Sequence, residues 1–201
     1  MQLDTYNKLY QVAEAQAGYF TTAQAAAVGV DRKRLARYAV ADRLERIRRG
    51  VYRLVPFTRS PHEDLFVAWL ETGPDSVISH DSALALYELS DALPAAIHVT
   101  VPSSASRRHR GLQMHTNQIN VQEITYYDAL PVTTVARTIV DVTAAGLANE
   151  LVEQAVHEAV SNGLVTPALL LAAAAPRGPR VTRILRRALE RIGQLPSQEP
   201  Q

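Results

Sequence analysis

The chain of 201 residues contains no cysteine. That excludes a disulfide scaffold, a thiolate nucleophile and a thiolate metal ligand, and it fits a reducing cytoplasm. No run approaches the ~18 apolar residues needed to span a bilayer. The opening MQLDTYNKLYQ lacks the apolar core of a signal peptide, so a cytoplasmic protein with no membrane partner is expected. There is no G-x-x-x-x-G-K-[ST] phosphate loop, no G-x-G-x-x-G fingerprint and no H-E-x-x-H helix. The histidines His62, His80, His98, His109, His115 and His157 show no metal-ligand spacing. His62-Glu63-Asp64 would point in three directions on a helix. Ser79-His80 would diverge at a helix start, with Ser79 serving as the cap. No metal, no cofactor and no enzymatic activity is expected, and no internal repeat is present.

What the chain does have is an uneven charge. Apolar residues make up 47% and charged residues 20%, an ordinary globular composition. Residues 1–60 hold 11 Lys and Arg against 5 Asp and Glu, residues 61–170 hold 4 against 13, and residues 171–201 hold 6 against 2. The net charges are therefore +6, −9 and +4. A basic head on an acidic body directs attention to the head as the part suited to a polyanion.

Within the head, Thr21 to Leu54 reads as a helix, a tight turn, a basic helix and a basic hairpin. Thr21 with Gln24 fits a capping box, and Ala23 to Ala27 favours helix. Gly29 supplies the turn, and Asp31 caps the next helix. There Leu35 with Tyr38 and Ala39 makes an apolar face, leaving Arg32, Lys33, Arg34 and Arg37 on the rest of the surface. Leu44 to Leu54 follows as a hairpin turning at Arg49-Gly50, studded by Arg46, Arg48, Arg49 and Arg53. A helix-turn-helix followed by a wing is the arrangement that lays one helix in the major groove, where Arg forks onto guanine or grips phosphate.

The remainder reads as a mixed domain. Residues 4–17 make the first helix, with Tyr19 and Phe20 packed beneath the helix-turn-helix. Pro56 to Pro61 is a linker, with the domain boundary near Ser60. Helices are expected over 62–71, 80–89, 133–145 (opened by Pro131), 147–162, 166–175 and 180–192. Strands are expected near 97–101, 112–115 and 122–127, and residues 194–201 are expected to be a flexible tail. The fold class is α+β: a winged helix-turn-helix over 1–58, then a larger α/β domain over 62–193 with a small sheet and a helical end. Arg107, Arg108 and Arg110, beside His109, form a basic loop. Arg183, Arg186, Arg187 and Arg191 form a basic stripe on the last helix. Both are candidates for secondary contact with nucleic acid or a partner, weighed against plain surface charge.

Three runs resemble the AbiEi family of antitoxins, the regulatory halves of type IV toxin–antitoxin operons. They are GYFTTAQAAAVGVDRKRLARYAVADRLERIRRGVYRL, SVISHDSALALYELSDALPAAIHVTVP and LPVTTVARTIVDV, and with the helical tail they span nearly the whole chain. The resemblance implies an amino-terminal winged-helix domain and an α/β antitoxin domain behind it. It implies autorepression through inverted repeats in the promoter, and opposition to a nucleotidyltransferase toxin encoded alongside. By position, Arg32, Lys33, Arg34 and Arg37 match the recognition helix, and Arg46, Arg48 and Arg49 the wing. No residue carries over for the antitoxic surface. Related chains continue into a restriction-endonuclease-like domain. The only lysines here are Lys8 and Lys33, which argues against such a nuclease centre. The partners expected are double-stranded DNA and the toxin, with the protein a monomer or weak dimer that is cooperative on DNA. Two other readings stay open: a toxin-binding module with secondary DNA binding, and a stand-alone regulator derived from a nuclease-fused relative.

Overall fold

The computed structural model describes residues 2–102 and 110–196. The chain divides into one unit of residues 1–76 with 126–130, and a second of residues 77–125 with 131–201.

The first unit opens with helix α1 (Gln2–Glu14), which buries Leu9 and Ala13. A turn with positive φ at Ala17 and Gly18 then leads into strand β1 (Tyr19–Thr21). Gly18 is needed there twice over: its φ is +94°, and a Cβ would lie 2.4 Å from that of Phe57. Thr21 caps helix α2 (Thr22–Ala27) by accepting from the Gln24 N–H, and the Gln24 side chain accepts from the Thr21 N–H in return. Gly29, at φ +84°, turns the chain into helix α3 (Arg32–Val40), which Asp31 caps by accepting from the Arg34 N–H at 2.8 Å. Strands β2 (Leu44–Arg48) and β3 (Val51–Leu54) form the hairpin, with a register shift between Arg46 and Arg48. The sheet runs β1-β3-β2 with antiparallel pairings. Leu9, Phe20, Ala25, Val30, Leu35, Leu44 and Leu54 make its core.

One expectation changes in this unit. Tyr19 and Phe20 are buried as expected, Phe20 in the core with Ala25, Val30 and Leu35, and the strand they form pairs with β3. Helix α4 (Glu63–Thr72), expected to open the second domain, belongs to the first unit, so the division falls at Ser76 and not near Ser60. The reason is Tyr19. Its ring stacks on Phe66 at 5.0 Å, and its hydroxyl donates to Glu63 at 3.1 Å and accepts from the Ser60 N–H at 3.0 Å.

The second unit comprises β4 (Val77–Ile78), α5 (His80–Leu86), β5 (Ile97–Thr100), β6 (Leu112–His115), β7 (Ile124–Tyr127), β8 (Leu130–Thr133), α6 (Val135–Ala145), α7 (Asn149–Ser161), α8 (Pro167–Ala174) and α9 (Pro179–Arg191). The sheet order is β6-β5-β4-β8-β7, and residues 126–130, the second half of β7, the turn and the first residue of β8, are grouped with the first unit. The four helices after the sheet enclose a core of Ile139, Val142, Val152, Val156, Leu170, Leu185 and Leu189.

Three more corrections arise here. Pro131 does not open a helix: residues Leu130–Thr133 are strand β8, all four buried, and Thr134 caps α6 by accepting from the Arg137 N–H. The helix expected over 80–89 ends at Leu86, where positive φ at Glu88 and Ser90 turns the chain and tucks Leu89 inside. The strand expected near 122–127 begins at Ile124, after a 3₁₀ turn over Val121–Glu123. The last three helices lie within two residues of their expected bounds. Residues 197–201 of the expected tail lie outside the described residues. Among the described residues no helix is long and apolar enough to cross a membrane.

Candidate nucleic-acid interface

Helix α3 buries Leu35 to 1% exposure and turns its charged residues outward. Arg32, Lys33 and Arg37 are exposed, and none has a carboxylate within ion-pair distance among the described residues. Arg34 differs: it is half-buried, and its Nη1 donates to the Gly29 carbonyl at 2.9 Å, so part of its guanidinium braces the turn.

The hairpin sorts its arginines by strand face and by register shift. Arg46 and Arg49 are exposed without an ion-pair partner among the described residues. Arg48 is exposed but lies 3.5 Å from Glu71, which offsets part of its charge. Arg53 is buried at 8% exposure; its Nη2 meets Glu45 at 2.8 Å and its Nη1 donates to the Phe57 carbonyl. The expectation that Arg53 studs the outer surface is therefore corrected. The bond from Arg53, with the charge of Arg59, outweighs the opposing effect of burial and leaves the Glu45 carboxyl below its usual range. Arg43, which sequence reasoning did not single out, lies over the Tyr6 ring at 5.8 Å. The free cations that remain, Arg32, Lys33, Arg37, Arg46 and Arg49, come from two elements of one small unit.

In the second unit, Arg107, Arg108 and His109 lie outside the described residues, and Arg110 is exposed. On α9, Arg183 and Arg187 are exposed and Arg186 is half-buried, while Arg191 is held by Glu153 at 2.5 Å.

The same unit contains two buried polar clusters that spacing did not reveal. Arg137, 2% exposed, donates from Nε to Asp141 at 2.8 Å and from Nη1 to the Gln118 carbonyl, and pairs with Glu123 at 2.8 Å. The buried Asp141 and the half-buried Glu123 supply the carboxylates that a buried charge requires. The second cluster corrects the reading of Ser79. It makes no side-chain cap; its Oγ accepts from Thr100 at 2.8 Å and lies 3.0 Å from His80 Nδ1, so the two neighbours converge. The His80 ring stacks on His115 at 3.5 Å, His115 Nε2 lies 3.3 Å from His98 Nδ1, and His98 Nε2 lies 3.4 Å from Asp81. Burial, then the neighbouring His115, His98, Arg137 and Arg177, push the His80 pKa down to about 3. His80 is thus neutral, and the hydrogen-bonded chain fastens the start of α5 to β5.

Comparison with known proteins bears on the first unit most directly. No curated protein matches the chain. The solved structure of the RV2827C protein from Mycobacterium tuberculosis is similar in fold, with a TM-score of 0.50 over 97% of this chain and 83% of that one. The two are 12% identical, so the likeness is one of fold alone. Residues 7–55 match the family model described as "Transcriptional regulator, AbiEi antitoxin". The matched span runs from within α1 to the end of the hairpin and carries every free cation of the candidate interface, so this part of the chain is similar to AbiEi antitoxin-type transcriptional regulators.

Proposed function

We propose that the protein is a winged helix-turn-helix repressor of its own promoter and the antitoxin of a type IV system, acting by binding and not as an enzyme. The observation that carries the reading is the pairing of α3 with the β2–β3 hairpin, which present Arg32, Lys33, Arg37, Arg46 and Arg49 without carboxylate partners among the described residues. The succession α1, β1, α2, turn, α3, hairpin supports a winged helix. In that arrangement α3 lies in the major groove and the hairpin rests on the sugar-phosphate backbone. Arg37 reads a base edge while Arg46 and Arg49 neutralise phosphates. Bound to inverted repeats as a cooperative monomer or weak dimer in the cytoplasm, the protein blocks transcription. Its second unit opposes a nucleotidyltransferase toxin encoded alongside.

The test is gel retardation of the chain's own upstream region at low salt. Arg37→Ala is expected to weaken binding by about 1–3 kcal/mol and to relax the preference at one base pair. Equal losses on all sequences would place Arg37 on phosphate, and no retardation by the parent protein would end the reading. The −9 charge of residues 61–170 favours the toxin-binding module as the second reading. A stable complex with the neighbouring gene product, without operator binding, would select it.

A further inference from the structure

Val40 is exposed over 88% of its surface at the last position of α3. It makes no core contact there, and a β-branched residue adds little to helix stability. Neither packing nor propensity accounts for it. At 3.6 residues per turn, Lys33, Ala36, Arg37 and Val40 fall at i, i+3, i+4 and i+7, which is one face. All four are exposed, and Leu35 is buried on the opposite side. The outward face of α3 is thus two cations, one small residue and one apolar side chain.

The cations favour a polyanion as the occupant of this face, and the major groove offers an apolar side chain one apolar group, the C5-methyl of thymine. We propose that Val40 reads a thymine through that methyl group, fixing an A·T position next to the base pair read by Arg37. Ala36, with nothing beyond Cβ, leaves the backbone of α3 free to approach the groove floor. This rests on the reading of α3 as the helix that enters the major groove.

The test uses the full-length protein and duplexes it selects from a random pool. Each thymine is replaced singly by deoxyuridine, which keeps the pairing and every hydrogen-bonding group and removes only the methyl. One replacement is expected to weaken binding about fourfold, the worth of burying roughly one methylene-sized group. Val40→Ser, at an exposed position where the fold is not disturbed, is expected to bind the thymine duplex more weakly by a similar factor and to be indifferent to deoxyuridine at that position. No sensitive thymine, or equal sensitivity in Val40→Ser, overturns the assignment and leaves DNA binding standing. Failure of the parent protein to select any duplex overturns both.

Discussion

His80 combines three costs that a residue seldom carries together. It is 3% exposed, its φ is +50°, and its ring lies against a second imidazole. The groups around it are His98 and His115 from the sheet, with Arg137 and Arg177 adding positive charge; the Asp81 carboxylate meets His98. Burial first, and then His115, His98, Arg137 and Arg177, hold His80 neutral, with its pKa about 3 against 6.5 in the unfolded chain. The folded protein therefore binds fewer protons than the unfolded one below pH 6.5. The stabilisation is fully present above that value and is lost as pH falls, by about 1.4 kcal/mol per unit for one such group. His98 and His115 are lowered too, chiefly by burial, so they add to the same trend. His80→Asn suits the positive φ, since Asn adopts that region readily. In urea unfolding between pH 7 and 5, it is expected to flatten the decline by roughly one proton's worth of slope; an unchanged slope would assign the acid sensitivity elsewhere.

At the scale of elements, the β2–β3 hairpin separates exposed arginines, which the proposed function assigns to DNA, from one that holds the fold, and the two classes should respond differently. Arg49→Ala is expected to lower DNA affinity and to reduce the slope of log K against log salt by about 0.9, one phosphate contact. Arg53→Gln is expected to cost about 1–3 kcal/mol of stability through the lost bond to Glu45, leaving the salt slope as it was. The reverse pattern in salt titrations and thermal unfolding would exchange their roles. The hairpin itself was readable in the sequence because its turn and basic residues are local, and so were α2, α3 and α8, whose caps lie beside them at Thr21, Asp31 and Thr166. Strands β1, β4 and β8 were not. The first two run to three and two residues, too short for alternation to register, and β8 is buried at all four positions, so it shows no alternation. The partners of Tyr19 and Arg137 lie far along the chain, at Glu63 and Gln118, and no local pattern announces them.

At the scale of the whole molecule, the packing division falls at Ser76 while the change in charge falls earlier, near residue 60. Residues 1–60 hold +6 and residues 61–170 hold −9. The core built on Leu9, Phe20 and Leu35 lies wholly in the first unit, and the one built on Ile139, Val156 and Leu185 wholly in the second. Substitutions on exposed residues of one unit thus leave the core of the other untouched, and distant sites contribute independently. If repression belongs to the first unit and toxin neutralisation to the second, the full-length double variant Arg37→Ala/Arg49→Ala separates the two activities. It is expected to lose retardation of the promoter and to derepress a reporter, yet still to rescue growth when the nucleotidyltransferase toxin that the proposed function places alongside is induced from an unrelated promoter. Driving the toxin from that promoter matters, because the rescue then cannot come from repressing its transcription. Loss of rescue together with DNA binding, at unchanged thermal stability, would mean that the basic face of the first unit also serves neutralisation.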